Sequence, residues 1–367
     1  MFNLHIIQAE YGDSLLIEYG KTKNKYILVD GGPSKVYDNY LRNELLNIIG
    51  EGGSLEAVVI SHVDDDHIKG IVDFFVELKK LNDTNEDLLL KVKDLWHNSF
   101  SETVDNSGTI TNRLNSMFTI LAQNGVNADN SGIVLEGIKD GERATVLAID
   151  LGITVNAKAP NGFFSVEKST EPIKFDNLTF TIVGPTKENL ESLKTKWEEW
   201  LAKQEEDIAN GQFNIASMSD KSIPNLSSIV FLVKGDDKTI LFTGDARGDF
   251  IYEGLKKRKL LKNGKLHLDV FKVPHHGSDR NINREFFENI TADTYVISAN
   301  GKYSNPDYAT LTWIIESANE QGREIEIIIT NETPSTKKIL KDYPENDWGY
   351  KLNYIEPDKN SYLITLA

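Results

Sequence analysis

The stretch Ser61-His62-Val63-Asp64-Asp65-Asp66-His67 sets two imidazoles around three carboxylates. It follows an apolar run, Ala57 to Ile60, and precedes a stretch with helical periodicity. A turn at that place can aim His62, Asp64, Asp66 and His67 into one pocket. Imidazole and carboxylate together suit a divalent ion such as zinc, manganese or iron. An acidic helix start would account for one of the aspartates. It does not account for histidines on both sides of them. Two further signals stand at strand ends. Leu241-Phe242-Thr243-Gly244-Asp245 brings a carboxylate to the end of an apolar run. Lys272-Val273-Pro274-His275-His276-Gly277-Ser278 brings adjacent histidines. Side chains of neighbouring residues diverge in an extended chain. One of His275 and His276 is therefore expected as a ligand, and the other is expected to meet substrate or to pack.

These pieces resemble, in content and order, the metallo-β-lactamase superfamily, and within it the branch that includes the hydrolase domain of the DNA-uptake competence protein. The branch's Gly-Asp-Ser is seen as Gly12-Asp13-Ser14, and its Asp-Gly-Gly as Asp30-Gly31-Gly32. Its Ser-His-x-Asp-x-Asp-His-x-x-Gly runs from Ser61 to Gly70. Its Thr-Gly-Asp is Thr243 to Asp245, and its Pro-His-His-Gly-Ser is Pro274 to Ser278. An Asn-x-Ser-Ser stretch, Asn225 to Ser228, also fits. The resemblance implies a four-layer αββα sandwich of α/β (α+β) class and a two-metal site. His62, Asp64 and Asp245 would hold one ion. Asp66, His67, Asp245 and one of His275 or His276 would hold the other, with Asp245 bridging. Asp30 would orient the cluster, Asp66 would orient the attacking water, and the second histidine, His276, would contact an oxyanion.

The chain departs from the superfamily in three places. Asp64 stands where many members have histidine, which makes that site harder and manganese more plausible beside zinc. Where many members supply a further histidine, the candidate is His97, in Trp96-His97-Asn98. The stretch Tyr303-Ser304-Asn305-Pro306-Asp307 has no histidine beside its proline, so a phosphate-contacting cation is missing there.

Certain elements must carry these residues. Short strands are expected at Leu4 to Ile7, Leu15 to Glu18 and Tyr26 to Val29. A helix is expected at Tyr40 to Ile49, a loop at Ser61 to Gly70 and a helix at Ile71 to Leu81. The middle reads as a strand at Val92 to Trp96, a helix at Thr111 to Asn124 and strands at Thr145 to Ile149 and Phe180 to Val183. A charged helix at Leu190 to Ala209 and a polar loop at Gly211 to Asn225 follow. A hairpin pairs Ser228 to Val233 with Thr239 to Phe242, and strands at Val270 to Val273, Thr294 to Ser298 and Ile325 to Ile329 alternate with helices. The 367 residues read as a single domain with a long insertion at about 85–225.

Composition narrows the function. Hydrophobic residues at 40% fit a soluble globular chain, with no apolar run long enough to span a bilayer. A start that reads as a strand rather than a signal peptide points to the cytoplasm. The absence of cysteine excludes thiolate ligands. A net charge of −16 disfavours long nucleic acid as partner. The expected function is hydrolysis of a phosphodiester by a metal-activated water, on a nucleic acid or, better matched to the charge, a small nucleotide-like molecule. Two divalent ions are implied, zinc favoured and manganese compatible. Hydrolysis of a carboxylic ester, lactone or thioester is the alternative enzyme reading, and a non-catalytic sensor or effector module is the other. The insertion would be a lid or a surface for a protein partner.

Overall fold

The computed structural model describes residues 1–124, 133–212 and 226–367. Most of the loop read at Gly211 to Asn225 lies outside the described residues, as does Asn225 of the Asn-x-Ser-Ser stretch.

Alternating and continuous apolar runs become the strands β1 (Phe2–Ile7), β2 (Leu15–Tyr19), β3 (Lys25–Val29), β4 (Gly53–Leu55), β5 (Ala57–Ile60), β6 (Leu90–Val92), β7 (Asp94–His97), β8 (Thr154–Val155) and β9 (Ile173–Phe175). They continue as β10 (Leu178–Gly184), β11 (Val230–Gly235), β12 (Lys238–Phe242), β13 (Leu266–Lys272), β14 (Ile290–Ile297), β15 (Ile325–Ile329), β16 (Tyr350–Tyr354) and β17 (Ser361–Thr365). One sheet has the order β17-β1-β2-β3-β5-β7-β8, and a second has the order β16-β15-β14-β13-β12-β11-β10-β9. Both are mixed. β1, β2 and β3 pair antiparallel, whereas β3, β5, β7 and β8 run parallel. In the second sheet β9 to β12 form an antiparallel meander, and β12 to β16 run parallel.

The period of two along each strand divides the side chains between two environments. Leu4, Ile17, Ile27 and Val59 of the first sheet meet Phe180, Phe231, Phe242 and Val270 of the second in one core. The alternate residues Leu16, Leu28, Val58 and Ile60 face the helices α1 (Arg42–Ile49) and α2 (Asp65–Asp83). On the other side Leu241, Phe271, Tyr295 and Ile327 pack against later helices through Leu255, Phe287 and Ile314. Helix, sheet, sheet and helix make the αββα sandwich.

Two regions differ from the sequence reading. Helix α2 begins at Asp65, so Asp66 and His67 lie in its first turn and not in a loop reaching Gly70. After α3 (Phe100–Thr103) and α4 (Thr109–Gln123), Thr145 to Ile149 forms the end of the helix α5 (Ile133–Asp150) and not a strand. Described residues of the stretch at about 85–225 join both sheets. β7 and β8 extend the first sheet and β9 and β10 the second, while α4 and α6 (Lys187–Ala209) pack on each other through Leu114, Met117, Leu193 and Trp197. Among the described residues no helix is long and apolar enough to cross a membrane.

Close backbone contact fixes α2 against the loop after β3. The N–H of Gly31 donates to His67 O at 2.8 Å, and the N–H of Gly70 donates to Gly32 O at 3.0 Å. A Cβ on Gly70 would stand 1.9 Å from Gly31 O. Gly70→Ala is therefore expected to destabilise the protein by about 2–3 kcal/mol. Urea denaturation measures this, and a loss below about 0.5 kcal/mol would mean that helix and loop part freely.

Candidate metal centre

The C-terminal ends of the parallel strands β3, β5, β12 and β13 lie at one edge of the sandwich, the usual place for a site in sheets of this kind. β3 leads into Asp30, β5 into Ser61-His62, β12 into Asp245, and β13 into the histidine pair. Gly244 takes a φ of 48° there, and a Cβ on it would meet Ser61 Oγ at 2.9 Å. The stretch Ser61 to His67 and the Thr243-Gly244-Asp245 turn thus touch.

Asp64 occupies the N-cap position of α2, but its carboxylate does not cap the helix. It lies instead 3.7 Å from His62 Nε2. Asp65 accepts the Tyr11 hydroxyl at 3.0 Å. Asp66 faces inward, with Oδ2 3.3 Å from His276 Nε2 and Oδ1 3.9 Å from His67 Nε2. Between the groups stands Asp245. Its Oδ1 lies 3.2 Å from His67 Nε2 and 3.5 Å from His276 Nε2. Its Oδ2 lies 3.9 Å from His62 Nε2 and 3.7 Å from His275 Nε2.

The tautomers follow from what each Nδ1 meets. Ser61 Oγ donates to Asp30 Oδ2 at 2.7 Å, so it accepts from His62 Nδ1 at 3.1 Å. His67 Nδ1 donates to Asp30 Oδ2 at 2.9 Å, and His276 Nδ1 donates to Ser298 O at 3.0 Å. In their neutral forms these three rings present an Nε2 lone pair to the interior. His275 differs. The Asn281 amide donates to its Nδ1 at 2.9 Å, which leaves the proton on Nε2.

These inward atoms fit a divalent ion. His62, His67 and His276 Nε2 and Asp245 Oδ1 are buried and make no hydrogen bond. Each such group costs about 1–3 kcal/mol if nothing satisfies it. Donors around a tetrahedral ion at its usual bond length lie about 3.4 Å apart, close to the 3.2–3.5 Å between Asp245 Oδ1, the two ring nitrogens and Asp66 Oδ2. The set of His62, Asp64 and Asp245 Oδ2 is wider, at 3.7–3.9 Å.

Electrostatics follow the same division. Burial pushes His62 down to about 3, so it is neutral. Burial also opposes charge on His67 and His276, but Asp245, with Asp30 and Asp13 behind the rings, outweighs it. His67 is held well above the usual histidine range and His276 is held up at about 10. Burial would raise Asp245, yet His276, His67 and His275 hold it well below the usual carboxylate range.

His275 and His276 do not lie on an extended strand. Both have left-handed backbones, with φ of 51° and 54°, followed by Gly277 at 80°. Such residues cost of order 1–3 kcal/mol each. The turn aims both rings at Asp245 instead of sending them apart. It also sets the two rings at different depths. His276 lies on the floor with a 3% exposed side chain, whereas His275 stands at the opening with 20%. Asp64 and Asp66, at 17% and 19%, share that open side.

His97 is not in this cluster. It is buried at the end of β7 under α5, where a Cβ on Gly141 would lie 2.9 Å from its Nε2. Burial lowers it to about 4.

Two residues that the sequence reading gave no role lie behind the rings. Asp13 Oδ1 is 3.5 Å from His276 Nδ1, and its Oδ2 is 2.6 Å from the buried Lys272 Nζ. Asp13 can be grouped with His67, Asp245 and His276 as a potential ligand set. However, it faces the Nδ1 side of the rings and already neutralises an ammonium, so it is a support and not a ligand. A signal for this pair was present: Lys272 interrupts the apolar run Val270 to Val273 of a strand buried on both faces.

No protein-family profile matches the chain, and no curated protein matches its sequence. Among solved structures, a diphosphatase of the PhnP family is similar at 10% identity and a TM-score of 0.42, over 100% of this chain and 98% of that one.

Proposed function

We propose that this protein is a metal-dependent hydrolase of phosphodiesters, acting on a small nucleotide-like substrate. The observation that carries the hydrolase reading is Asp245, whose two oxygens each face ring nitrogens that lack hydrogen bonds. Asp66, His67, Asp245 and His276 would hold one divalent ion, and His62, Asp64 and Asp245 a second, more open one. Zinc or manganese matches these nitrogen and oxygen donors. Bound ions lower the pKa of a water and neutralise charge on the displaced oxygens.

The protein's own groups do the rest. Ser61 Oγ is buried and donates to Asp30, so water and not serine is the nucleophile. Asp66 Oδ1, at the open side, accepts the water's proton. His275 Nε2–H, held by Asn281, donates to a phosphoryl oxygen. The preference for phosphorus over carbonyl rests on the motif resemblance.

The test offers bis(p-nitrophenyl) phosphate, a lactone and a thioester to protein loaded with zinc or manganese. Release of p-nitrophenolate from the phosphodiester is expected. Turnover of the carbonyl substrates alone would replace the phosphodiester reading, and inactivity on all three with both ions bound would leave a sensor.

A further inference from the structure

The loop after β14 joins the site to its mouth. Its first residue, Ser298, accepts from His276 Nδ1. Its far end rests on the histidine turn: Asp307 N–H donates to Gly277 O at 3.0 Å, and a Cβ on Gly277 would stand 2.7 Å from Pro306 Cβ. Between these anchors Lys302 and Tyr303 meet the loop after β1. Lys302 Nζ lies 3.3 Å from the centre of the Tyr11 ring and 5.0 Å from that of Tyr303. The two rings stand edge to face at 6.1 Å. Tyr11 in turn donates to Asp65, which sits between Asp64 and Asp66.

Core packing does not account for this group. Tyr303 is 57% exposed, and it takes a left-handed backbone with φ of 57°. A bulky residue in that conformation costs of order 1–3 kcal/mol and is stored mainly at functional sites. The contacts of the Lys302 ammonium are with the two aromatic rings, in a chain of net charge −16. An ammonium and an aromatic face at the mouth of a carboxylate-rich site match an anion that carries a flat ring.

We infer that Tyr11, Lys302 and Tyr303 form a subsite for a nucleotide, with Tyr303 stacking on the base and Lys302 contacting a phosphate oxygen. This rests on the hydrolase reading for its placement beside the reacting phosphate, but it concerns binding. Lys302 thereby supplies the cation missing beside Pro306.

The experiment titrates AMP, and separately ribose 5-phosphate, into zinc-loaded protein by calorimetry. AMP is expected to bind about tenfold more tightly, the weight of one stacked base. Tyr303→Ala should remove that margin and leave ribose 5-phosphate unchanged, whereas Lys302→Met should weaken both about fivefold. Unchanged metal content and melting temperature show that the variants are folded. Equal affinities in the native protein, no binding of either ligand, or AMP binding untouched by Tyr303→Ala would each overturn the subsite. A native protein that discriminates the base yet cleaves no phosphodiester would instead overturn the hydrolase reading and keep the subsite.

Discussion

Asp245→Asn is expected to reduce bound metal from near two ions per chain to one or fewer, and to lower hydrolysis by more than about a hundredfold. That exceeds what losing an outer hydrogen-bond partner of a ligand costs, about 10–100-fold. The side chain keeps its size and the strands should stay in place, so the effect is electronic. Each carboxylate oxygen of Asp245 faces two ring nitrogens. An amide carries no charge, has one oxygen, and turns an N–H donor toward one of the two sets. Added zinc or manganese should not restore activity. Elemental analysis and a p-nitrophenolate assay read the two effects. The neighbouring histidines provide the contrast. His276→Ala should lose the inner ion, because its Nε2 lone pair is fixed inward by Ser298. His275→Ala should keep its metal and lose turnover, because its Nε2 bears the proton. An Asn variant with both ions and full activity would remove the bridge on which the reading stands.

The candidate site is legible in the sequence because its histidines and aspartates are local to strand ends, and each motif marks one end. Strands with short apolar runs, such as Leu15 to Glu18, were equally plain. What failed was non-local. Thr145 to Ile149 is rich in β-branched residues and reads as a strand in a short window. Yet Gly137, Gly141, Ala144 and Ala148 form a small-residue face. Gly137 lies against Val63 and Gly141 against His97, while Val146 and Ile149 are exposed. Tertiary contact with α2 overrides the propensity there. β17 was missed because it is recognised only by its pairing with β1. The orientation of the histidine pair was hidden for a different reason. Its residue types announce metal chemistry, but the direction of each ring depends on two left-handed residues, and its tautomer on Ser298 and Asn281. None of those is visible in the motif.

Lys272→Met is expected to destabilise the protein by about 3–5 kcal/mol, the usual effect of leaving one member of a buried ion pair alone. Methionine fills nearly the same space in β13, so packing is largely kept. What is lost is the ammonium 2.6 Å from Asp13 Oδ2. Both side chains are about 1% exposed, so water does not replace it. Burial would raise Asp13, but Lys272, then His276 and His67, hold its carboxyl below the usual range. Once a divalent ion takes the Nε2 atoms of those histidines their protons leave, and Lys272 remains as the cation that neutralises Asp13. The destabilisation should therefore be larger in the metal-loaded protein than in the stripped one, which urea denaturation with and without zinc can measure. The double variant Asp13→Asn with Lys272→Met removes both charges and should recover more than half of the loss. It should still bind metal less tightly, because His276 Nδ1 then has Ser298 O without the carboxylate behind it. If the double variant is as unstable as the sum of the two single ones, the pair is not coupled, and Lys272 serves the strand and not the metal centre.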